Sequence, residues 1–357
     1  MNSNKKETIL ITGATGTLGK RLLKEVKKSP RIGKIILLVR GESDEMARQR
    51  VLDNPNSSGI RDLKVYASDI TKNKLGLGKD LYTDISQEVT QIIHCAANVK
   101  FSLPLDETRL INHHGTANLI DLAKKCRNLS KFGHVSTAYV AGKRRGVIYE
   151  NELEHNAGFI SSYEQSKYET EILVRKNLES LPINVFRPTI LLENESRNAV
   201  NYMLKLFYEG SLPIIPGDKR GHVDLVPVDY CAFAIWRVFD KYFSQGKTYH
   251  IVAGPENSYT LEELVERVVV TFSKYKPLRK PKFVQLNEFQ ALILKKLADT
   301  KIGVFRKLNT FATQLLYPKI FDNTNLKNLK DKNLRPRRIE TYFDQYLSDF
   351  LRRNTND

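Results

Sequence analysis

Short apolar runs typical of buried β-strands alternate with segments of helical spacing over the first 190 or so residues. The runs are Ile9–Ile11, Lys34–Val39, Leu63–Ala67, Val89–Cys95, Lys131–Val135 and Asn184–Phe186. This alternation predicts an α/β fold with a parallel, doubly wound sheet. Such sheets bind ligands at the carboxyl ends of their strands, so the residues that directly follow each run are the candidates for chemistry.

A glycine-rich turn follows the first apolar run and precedes a helical segment that starts near Lys20. The three glycines, Gly13, Gly16 and Gly19, would let the backbone approach a pyrophosphate, and the following helix supplies free N–H groups and a positive dipole end. Their spacing, Gly-x-x-Gly-x-x-Gly, differs from the common Gly-x-Gly-x-x-Gly fingerprint. The position between strand and helix still favours a dinucleotide site over a plain turn.

Arg40 ends the second apolar run, about 20 residues beyond the glycines. Binding sites for NAD have a carboxylate at this position, which binds the ribose 2′-hydroxyl. No acid stands there. An arginine is suited to a 2′-phosphate. We therefore predict NADP(H) rather than NAD(H), with a solvated arginine at a strand end as the alternative.

Tyr163 and Lys167 are four positions apart in a helical segment, so their side chains point the same way. A fixed ammonium beside a phenol lowers the phenol's pKa and makes it a useful proton donor. The pair alone is weak evidence, because this spacing is common on solvated helices. We expect Ser162 to cap the helix, with Gln165 at the reciprocal position.

The composition is that of a soluble globular protein, with 41% hydrophobic residues. No uncharged apolar run approaches the ~18 residues of a membrane span, and the first residues do not resemble a signal peptide. The three cysteines form no motif and the seven histidines show no metal-ligand spacing. We therefore expect a cytoplasmic enzyme with reduced cysteines and without a metal.

The chain resembles the extended short-chain dehydrogenase/reductases. Within that superfamily it resembles the fatty acyl-CoA reductases and the thioester-reductase domains of carboxylic acid reductases and peptide synthetases. The resemblance covers about residues 7 to 255 and is carried by Thr12–Gly19, Leu37–Arg40, Ser68–Ile70, His94–Phe101, Asn112–Thr116, His134–Val140, Tyr163–Lys167, Arg187–Pro188 and Leu225–Asp229.

The resemblance implies a Rossmann-type sheet and an NADP(H)-dependent oxidoreductase. The implied cofactor-binding residues are Gly13, Thr15, Gly16, Thr17, Leu18, Gly19, Arg40, Asp69, Ile70, Ala96, Ala97, Tyr163, Lys167, Arg187 and Pro188. Thr137 would hydrogen-bond the substrate carbonyl and Tyr163 would donate the proton. Lys167 would bind the nicotinamide ribose and lower the pKa of Tyr163, whereas Asn112 is expected to position its helix rather than react.

The function expected from these residues is reduction of an acyl thioester, carried by coenzyme A or an acyl carrier protein, to an aldehyde or alcohol. Three alternatives stay open: a nucleotide-sugar epimerase or dehydratase, a dehydrogenase or reductase of another small hydroxy or keto substrate such as a sterol or flavonoid, and a non-enzymatic binding module. Sugar dehydratases carry Asp-Glu after the threonine, where this chain has Ala138-Tyr139.

We expect two domains: a cofactor-binding domain of residues 1–190 plus about 223–254, and a smaller, mostly helical substrate cap of about 191–222 plus 255–357. The least regular stretches should be about Gly41–Gly59 and Pro318–Pro336.

The net charge is +17, and between Thr271 and Asp357 Lys and Arg outnumber Asp and Glu by 19 to 8. No nucleic-acid motif accompanies this charge, so we expect no nucleic-acid partner. Helical apolar spacing begins near Asn287–Gln290 and continues through Phe289, Ile293, Leu297, Ile302, Phe305, Leu308 and Phe311. These segments are expected to be cap helices with a solvated basic face. The alternatives are docking of an anionic acyl carrier or peripheral contact with an anionic membrane.

Overall fold

The structure is a computed structural model that describes residues 6–101, 103–194, 198–286, 290 and 313–354. Its strands are β1 Glu7–Thr12, β2 Ile32–Val39, β3 Leu63–Ala67, β4 Gln91–His94, β5 Lys131–Val135, β6 Gly146–Ile148, β7 Ile183–Pro188, β8 Ile190–Leu192, β9 Ile214–Pro216, β10 His222–Val223, β11 Leu225–Pro227, β12 Thr248–Ile251, β13 Tyr259–Thr260, β14 Lys282–Val284 and β15 Lys319–Phe321.

The helices lie between these strands and after them. They are α1 Thr17–Val26, α2 Asp44–Leu52, α3 Lys79–Glu88, α4 Leu105–Arg109, α5 Gly115–Lys125, α6 Ser162–Arg175, α7 Ala199–Tyr208, α8 Val228–Lys241, α9 Leu261–Phe272, α10 Thr324–Asn328 and α11 Glu340–Asn354. A π-helical turn, Leu110–His114, joins α4 to α5.

Seven strands form one sheet in the order β12-β7-β5-β4-β1-β2-β3. Every neighbouring pair in it is parallel. The predicted doubly wound α/β sheet is confirmed. The strand order reverses between β1 and β4, and the carboxyl ends on either side of that point form the crevice in which such sheets bind nucleotides.

Each face of the sheet is covered by helices, because its strands are apolar on both sides. One core contains side chains of α1, α2 and α8, and the other contains those of α3, α5 and α6. A third core joins α7, α9 and α11 with β8 to β11 and belongs to the smaller, mostly helical part of the chain.

Two sequence expectations about irregular stretches are wrong. The Gly41–Gly59 region contains α2, which starts at an N-cap because the Ser43 hydroxyl accepts from the Met46 N–H. The Pro318–Pro336 region contains β15 and α10, and its Leu326 and Leu334 pack into the core of the main sheet. This region therefore packs against the main sheet, whereas the sequence predicts it as part of the cap. The remaining domain boundaries stay a prediction.

The predicted helix start at Asn287–Gln290 and the apolar stripe beyond it lie outside the described residues, apart from Gln290 itself. In the described ranges, no helix combines the length and the apolar character needed to cross a bilayer.

Candidate active site at the carboxyl edge of the sheet

The glycine turn after β1 is shaped by close backbone contacts. Gly13 has a φ of +75°, and a Cβ there would lie 2.5 Å from the backbone nitrogen of Ala96. A Cβ on Gly19 would lie 2.0 Å from the carbonyl oxygen of Gly13. Gly16 precedes α1 directly, so the free N–H groups at the start of this helix face the turn. The residues present therefore fit the pyrophosphate of a dinucleotide.

Of the other turn residues, Thr15 is half-buried and Thr17 is exposed at the start of α1. Leu18 packs into the core beneath α1. Any contact of Leu18 with a cofactor would therefore come from its backbone.

The ends of β1 and β4 are joined by a hydrogen-bond chain. The Thr12 hydroxyl accepts from the Ala96 N–H at 3.3 Å and lies 2.7 Å from His94 Nδ1. On the other side of the ring, His94 Nε2 lies 2.9 Å from the Thr116 hydroxyl, which donates to the Asn112 carbonyl. Burial lowers the pKa of His94 to about 3, so the ring is neutral. The chain fixes half-buried Ala96 and Ala97 beside the glycine turn.

Arg40 is exposed directly after β2, at the same edge of the sheet. Asp69 follows β3 and accepts from the Thr71 backbone N–H and hydroxyl at 3.0 and 2.7 Å. Burial raises the pKa of Asp69, but these bonds and the positive charges of Lys72 and Arg40 outweigh burial, and the net pKa is lowered. Arg40 therefore lies within electrostatic reach of Asp69.

Ile70 lies against α5 at Gly115, where a Cβ would come within 2.7 Å of the Ile70 side chain. A glycine at this position is what allows Ile70 to pack beside the expected adenine site.

Thr137, Tyr163 and Lys167 come together where β5 meets α6. The Thr137 side chain lies close enough to the Tyr163 phenol to lower the pKa of that group. The Lys167 ammonium is buried and donates to the Val135 carbonyl at 2.8 Å. Burial lowers the pKa of Lys167 to about 8, against the attraction of Glu171. The group therefore remains mostly cationic at neutral pH.

Burial raises the pKa of Tyr163 to about 12, although the nearby Thr137 side chain acts to lower it. The sequence predicts that Lys167 lowers the pKa of Tyr163, but in this structure the effect of burial is larger and the net pKa is raised. Tyr163 is thus fully protonated at neutral pH, the state that a proton donor needs.

A network behind Tyr163 fixes the start of α6. The Asn112 amide, on the π-helical turn, donates to the Asn98 carbonyl at 3.1 Å and to the Ser166 hydroxyl at 2.9 Å. Ser166 in turn donates to the Tyr163 carbonyl at 2.8 Å. Asn112 therefore connects the loop after β4 to the backbone of Tyr163, which agrees with the positioning role expected for it.

The helix cap lies one residue earlier than expected. Ser161, not Ser162, accepts from the Glu164 N–H at 3.3 Å. Ser162 instead donates to the Leu103 carbonyl at 2.6 Å.

Arg187 does not face the nucleotide crevice. Its guanidinium is fully buried and forms a pair with Glu171 at 2.6 Å. The other guanidinium N–H groups reach the Glu150 and Glu152 carbonyls and His250. Because every donor is engaged, we withdraw the Arg187 side chain from the proposed cofactor contacts. Pro188 is buried at the end of β7, where its carbonyl accepts from Thr137 at 3.3 Å.

Two features of the site were missed in the sequence. Phe101 lies edge-to-face against Tyr163, with 5.4 Å between ring centroids, and is 42% exposed. Val99, two residues earlier, is 62% exposed. Glu164, next to Tyr163, is fully buried. The apolar residues in Asn98–Phe101 could have indicated the exposed apolar surface beside Tyr163. No residue near Glu164 in the sequence indicates that its carboxyl group is buried.

The family described as "Male sterility protein", a family of NAD-binding domains, matches residues 11–235. The chain belongs to this family. It is of the extended short-chain dehydrogenase/reductase type with a nicotinamide cofactor site, in the branch that contains the fatty acyl-CoA reductases.

Among the relatives, the fatty acyl-CoA reductase wat of Drosophila melanogaster is 25% identical over 73% of this chain and 60% of its own length. The probable fatty acyl-CoA reductase 4 of Arabidopsis thaliana is 25% identical over 75% of this chain and 71% of its own. The chain thus spans between three fifths and three quarters of these relatives.

Among solved structures, the terminal R domain of the myxalamid PKS-NRPS biosynthetic pathway has a TM-score of 0.80 and 26% identity, and covers 99% of this chain and 92% of its own. A dTDP-glucose 4,6-dehydratase of Streptomyces venezuelae, solved with NAD, has a TM-score of 0.69 at 16% identity, covering 98% of each chain, and shares the fold.

Proposed function

We propose that the protein uses NADPH to reduce an acyl thioester to the aldehyde. The observation that carries the proposal is the placement of Thr137 close enough to the Tyr163 phenol to lower its pKa, with the buried Lys167 on the same helix, at the edge of the sheet that also holds the glycine turn. The similarity to fatty acyl-CoA reductases and to the myxalamid R domain supports a thioester as the substrate.

The protein's own groups handle the charge that develops on the carbonyl oxygen. The cofactor, when bound, supplies a hydride to the carbonyl carbon. Thr137 and Tyr163 are placed to hydrogen-bond the oxygen, and Tyr163 Oη gives its proton to it. The Lys167 ammonium stabilises the phenolate that remains. The hemithioacetal formed in this way then loses its hydroxyl proton, the C–S bond breaks, and a proton reaches the leaving sulfur, so that the thiol and the aldehyde are released.

A cysteine nucleophile does not fit this site. Burial raises the pKa of the Cys95 thiol to about 12, and the nearby Lys167 charge lowers it only in part. The sulfur is therefore a thiol at neutral pH, whereas attack on a thioester requires a thiolate. This supports direct hydride transfer to the substrate rather than a covalent acyl-enzyme.

The surface beside Tyr163 suits an apolar substrate. Phe101, which packs edge-to-face against the Tyr163 ring, is exposed to solvent, and Val99, two residues earlier in the chain, is exposed as well. An apolar acyl chain would cover them and remove apolar area from water. A nucleotide sugar would instead need polar partners at this position.

Arg40 supports NADPH over NADH as the reductant. It is exposed at the end of β2 and its guanidinium can bind a phosphate at two points. We propose that the thioester is carried by coenzyme A or by a carrier protein. The same proposal includes further reduction of the aldehyde to an alcohol. Contact of the basic C-terminal region with a membrane, and a cytoplasmic location, stay predictions.

The proposal is tested by following NADPH oxidation with long-chain acyl-CoA, an acylated carrier protein and a nucleotide sugar, each against Tyr163→Phe. We expect oxidation with at least one thioester, none with the sugar, and a loss of about 100-fold or more in the variant. If no thioester oxidises NADPH faster than in Tyr163→Phe, the thioester assignment is overturned.

A further inference from the structure

Three cationic side chains lie against the ring of Tyr317. Lys143 Nζ and Lys319 Nζ are each 5.8 Å from the ring centroid, and the central guanidinium carbon of Arg145 is 5.1 Å from it. The pairing of β6 with β15 brings these residues together, because Gly146, the first residue of β6, is the partner of Lys319, the first residue of β15. We refer to the three cations and the ring as the Tyr317 cluster.

The positive charges of this cluster are not neutralised by ion pairs. Within the described residues, no carboxylate pairs with any of the three cations, whereas the neighbouring Arg144 pairs with Glu152. Burial lowers the pKa of Lys319, the charge of Arg145 lowers it further, and the attraction of Glu164 acts in the opposite direction. Like charges held this close repel one another, so an anion bound among them is stabilised.

Lys319 also has hydrogen-bond donors left for a ligand. It is 4% exposed, and one of its three N–H groups donates to the Tyr317 carbonyl at 2.9 Å. In the part of the chain that the structure describes, this ammonium forms no other hydrogen bond. Buried polar groups are normally hydrogen-bonded, because an unengaged donor away from water is costly. The two remaining donors are suited to anionic oxygen atoms.

A cavity connects the cluster with the turn that carries Thr137. Lys319 and Tyr317 line this cavity, and so does Tyr139. Thr137 caps the short helical turn on which Tyr139 lies, because its hydroxyl accepts from the Tyr139 N–H at 3.3 Å. The Lys319 ammonium is 6.0 Å from the centroid of the Tyr139 ring. One side chain therefore separates the cluster from the turn that begins at Thr137.

The same cavity reaches the start of α6. Its wall includes Gln314, whose amide donates to the carboxyl group of Glu164, the residue after Tyr163. The Tyr163 ring itself packs against the exposed Phe101. Apolar surface and a cationic cluster are thus both connected to the proposed proton donor, each through a different contact.

Two acids line the cavity as well. Asp224 accepts from the backbone N–H groups of Ala253 and Gly254, both at 2.9 Å, and burial raises its pKa to about 7. Asp218 accepts from the Arg220 N–H at 2.9 Å. An anion is therefore stabilised at the Tyr317 cluster rather than in the part of the cavity that these acids line.

We propose that the Tyr317 cluster binds the phosphate of a pantetheine-linked thioester, the phosphate that coenzyme A shares with the prosthetic group of an acyl carrier protein. This inference rests on the proposed reduction of a thioester at Tyr163, and it names a part of the substrate that is bound away from the reacting carbonyl. The planar guanidinium of Arg145 binds two phosphate oxygens, and the two lysines add point charges. The pantetheine arm, which separates the sulfur from the phosphate, passes along Tyr139, and the acyl chain lies on Phe101.

The test measures binding of 4′-phosphopantetheine and of pantetheine, which lacks the phosphate, to the NADP⁺-saturated protein by isothermal titration calorimetry. Wild type should bind phosphopantetheine about tenfold or more tightly than pantetheine. In Arg145→Gln and in Lys143→Gln we expect the affinity for phosphopantetheine to fall about three- to tenfold and the affinity for pantetheine to stay unchanged. Arg145 is exposed and Lys143 is half-buried, so both variants should fold.

Arg144→Gln is the matched control, because Arg144 lies between Lys143 and Arg145 in the sequence but pairs with Glu152. It should bind both probes like wild type. With an acylated phosphopantetheine as substrate, Arg145→Gln should raise KM and leave kcat unchanged, since the phosphate is remote from the reacting atoms.

Two further probes distinguish the sources of the phosphate. They are coenzyme A, and the phosphopantetheine-bearing form of an acyl carrier protein compared with the same protein without that group. The probe whose affinity falls in Arg145→Gln is the carrier that the cluster accepts. If the affinity for neither probe falls, the cluster does not bind the substrate's phosphate and the proposal is wrong.

Two other results would overturn the proposal: equal wild-type affinities for phosphopantetheine and pantetheine, or equal losses in Arg144→Gln and Arg145→Gln. The first would show that the phosphate is not recognised, and the second that the loss reflects the general surface charge. The calorimetry needs no turnover. A protein that binds phosphopantetheine through the cluster and reduces no thioester would therefore count against the proposed function alone.

Discussion

Arg40 is the single residue on which the choice of cofactor depends. It follows β2 directly and is close enough to Asp69 to lower the pKa of that carboxyl group, although burial acts in the opposite direction. A 2′-phosphate placed there would meet a guanidinium rather than a carboxylate. The preference for NADPH therefore depends on one exposed side chain.

Replacing Arg40 with alanine should raise the KM for NADPH about tenfold or more, equivalent to ~1.4 kcal/mol of binding, and leave the KM for NADH nearly unchanged. The reason is that only NADPH carries the 2′-phosphate. Arg31→Ala is a matched control, because Arg31 directly precedes the same strand and pairs with Asp240 at its other end. An equal effect of Arg40→Ala on both cofactors would contradict the assignment.

At the scale of elements, the glycine turn was fully predictable, because its requirement is local. Gly13 and Gly19 must lie close to backbone atoms of neighbouring segments, and a side chain on either would collide with them. The cap of α6 was displaced by one residue, because Ser161 and Ser162 are both capable of capping and tertiary contacts decide between them. Ser162 is engaged by the Leu103 carbonyl, which the sequence does not indicate.

The glycine turn after β1 allows a stability prediction for Gly19, with Gly16 in the same turn as the control. Gly19→Ala should lower the free energy of unfolding by about 2 kcal/mol or more, since the new Cβ would lie 2.0 Å from a backbone oxygen that cannot move freely. In Gly16→Ala the nearest atom would be 3.4 Å away, an ordinary contact, so stability should stay within about 0.5 kcal/mol of wild type. Denaturant unfolding measures both, and equal losses would show that packing at Gly19 is not the constraint.

At the scale of the whole molecule, the sheet and the set of strand-end residues could be predicted because each strand's pattern and its following residues are contiguous in sequence. The hydrogen bond between Gln314 and Glu164 could not, because it joins the C-terminal part of the chain to α6 and depends on the route of that part. The ion pair between Arg187 and Glu171 could not be predicted either, because Arg187 and its partners lie on several elements that are distant in sequence.

Buried histidines make the stability of the whole molecule depend on pH. His134 is fully buried in β5, and within the described ranges neither of its ring nitrogens has a hydrogen-bond partner. Burial, together with the charge of Lys167 and repulsion from His94, lowers its pKa well below the usual value. The unfolded chain therefore binds a proton below about pH 6.5 that the folded protein does not, and stability at this site is lost as the pH falls.

His134→Leu should accordingly stabilise the protein by about 1 to 3 kcal/mol at pH 8, because two unpaired polar atoms leave the core. The advantage should grow by about 2 kcal/mol at pH 5, where wild type must also keep the ring unprotonated. Burial raises the pKa values of Glu150 and Glu164. Both residues are present in wild type and in His134→Leu, so their contributions cancel in the difference between the two free energies of unfolding. Denaturant unfolding at the two pH values measures this difference, and an advantage that does not change with pH would contradict the account.

The central claim, hydride transfer to a thioester with Tyr163 as proton donor, is tested most directly by a single turnover with NADPH deuterated at the transferred position of C4. We predict that wild type places the deuterium on the carbonyl carbon of the acyl group and releases one thiol per label transferred. Tyr163→Phe should bind the cofactor but transfer the label about 100-fold or more slowly. Absence of label from every acyl product, or transfer by Tyr163→Phe at the wild-type rate, would contradict the claim.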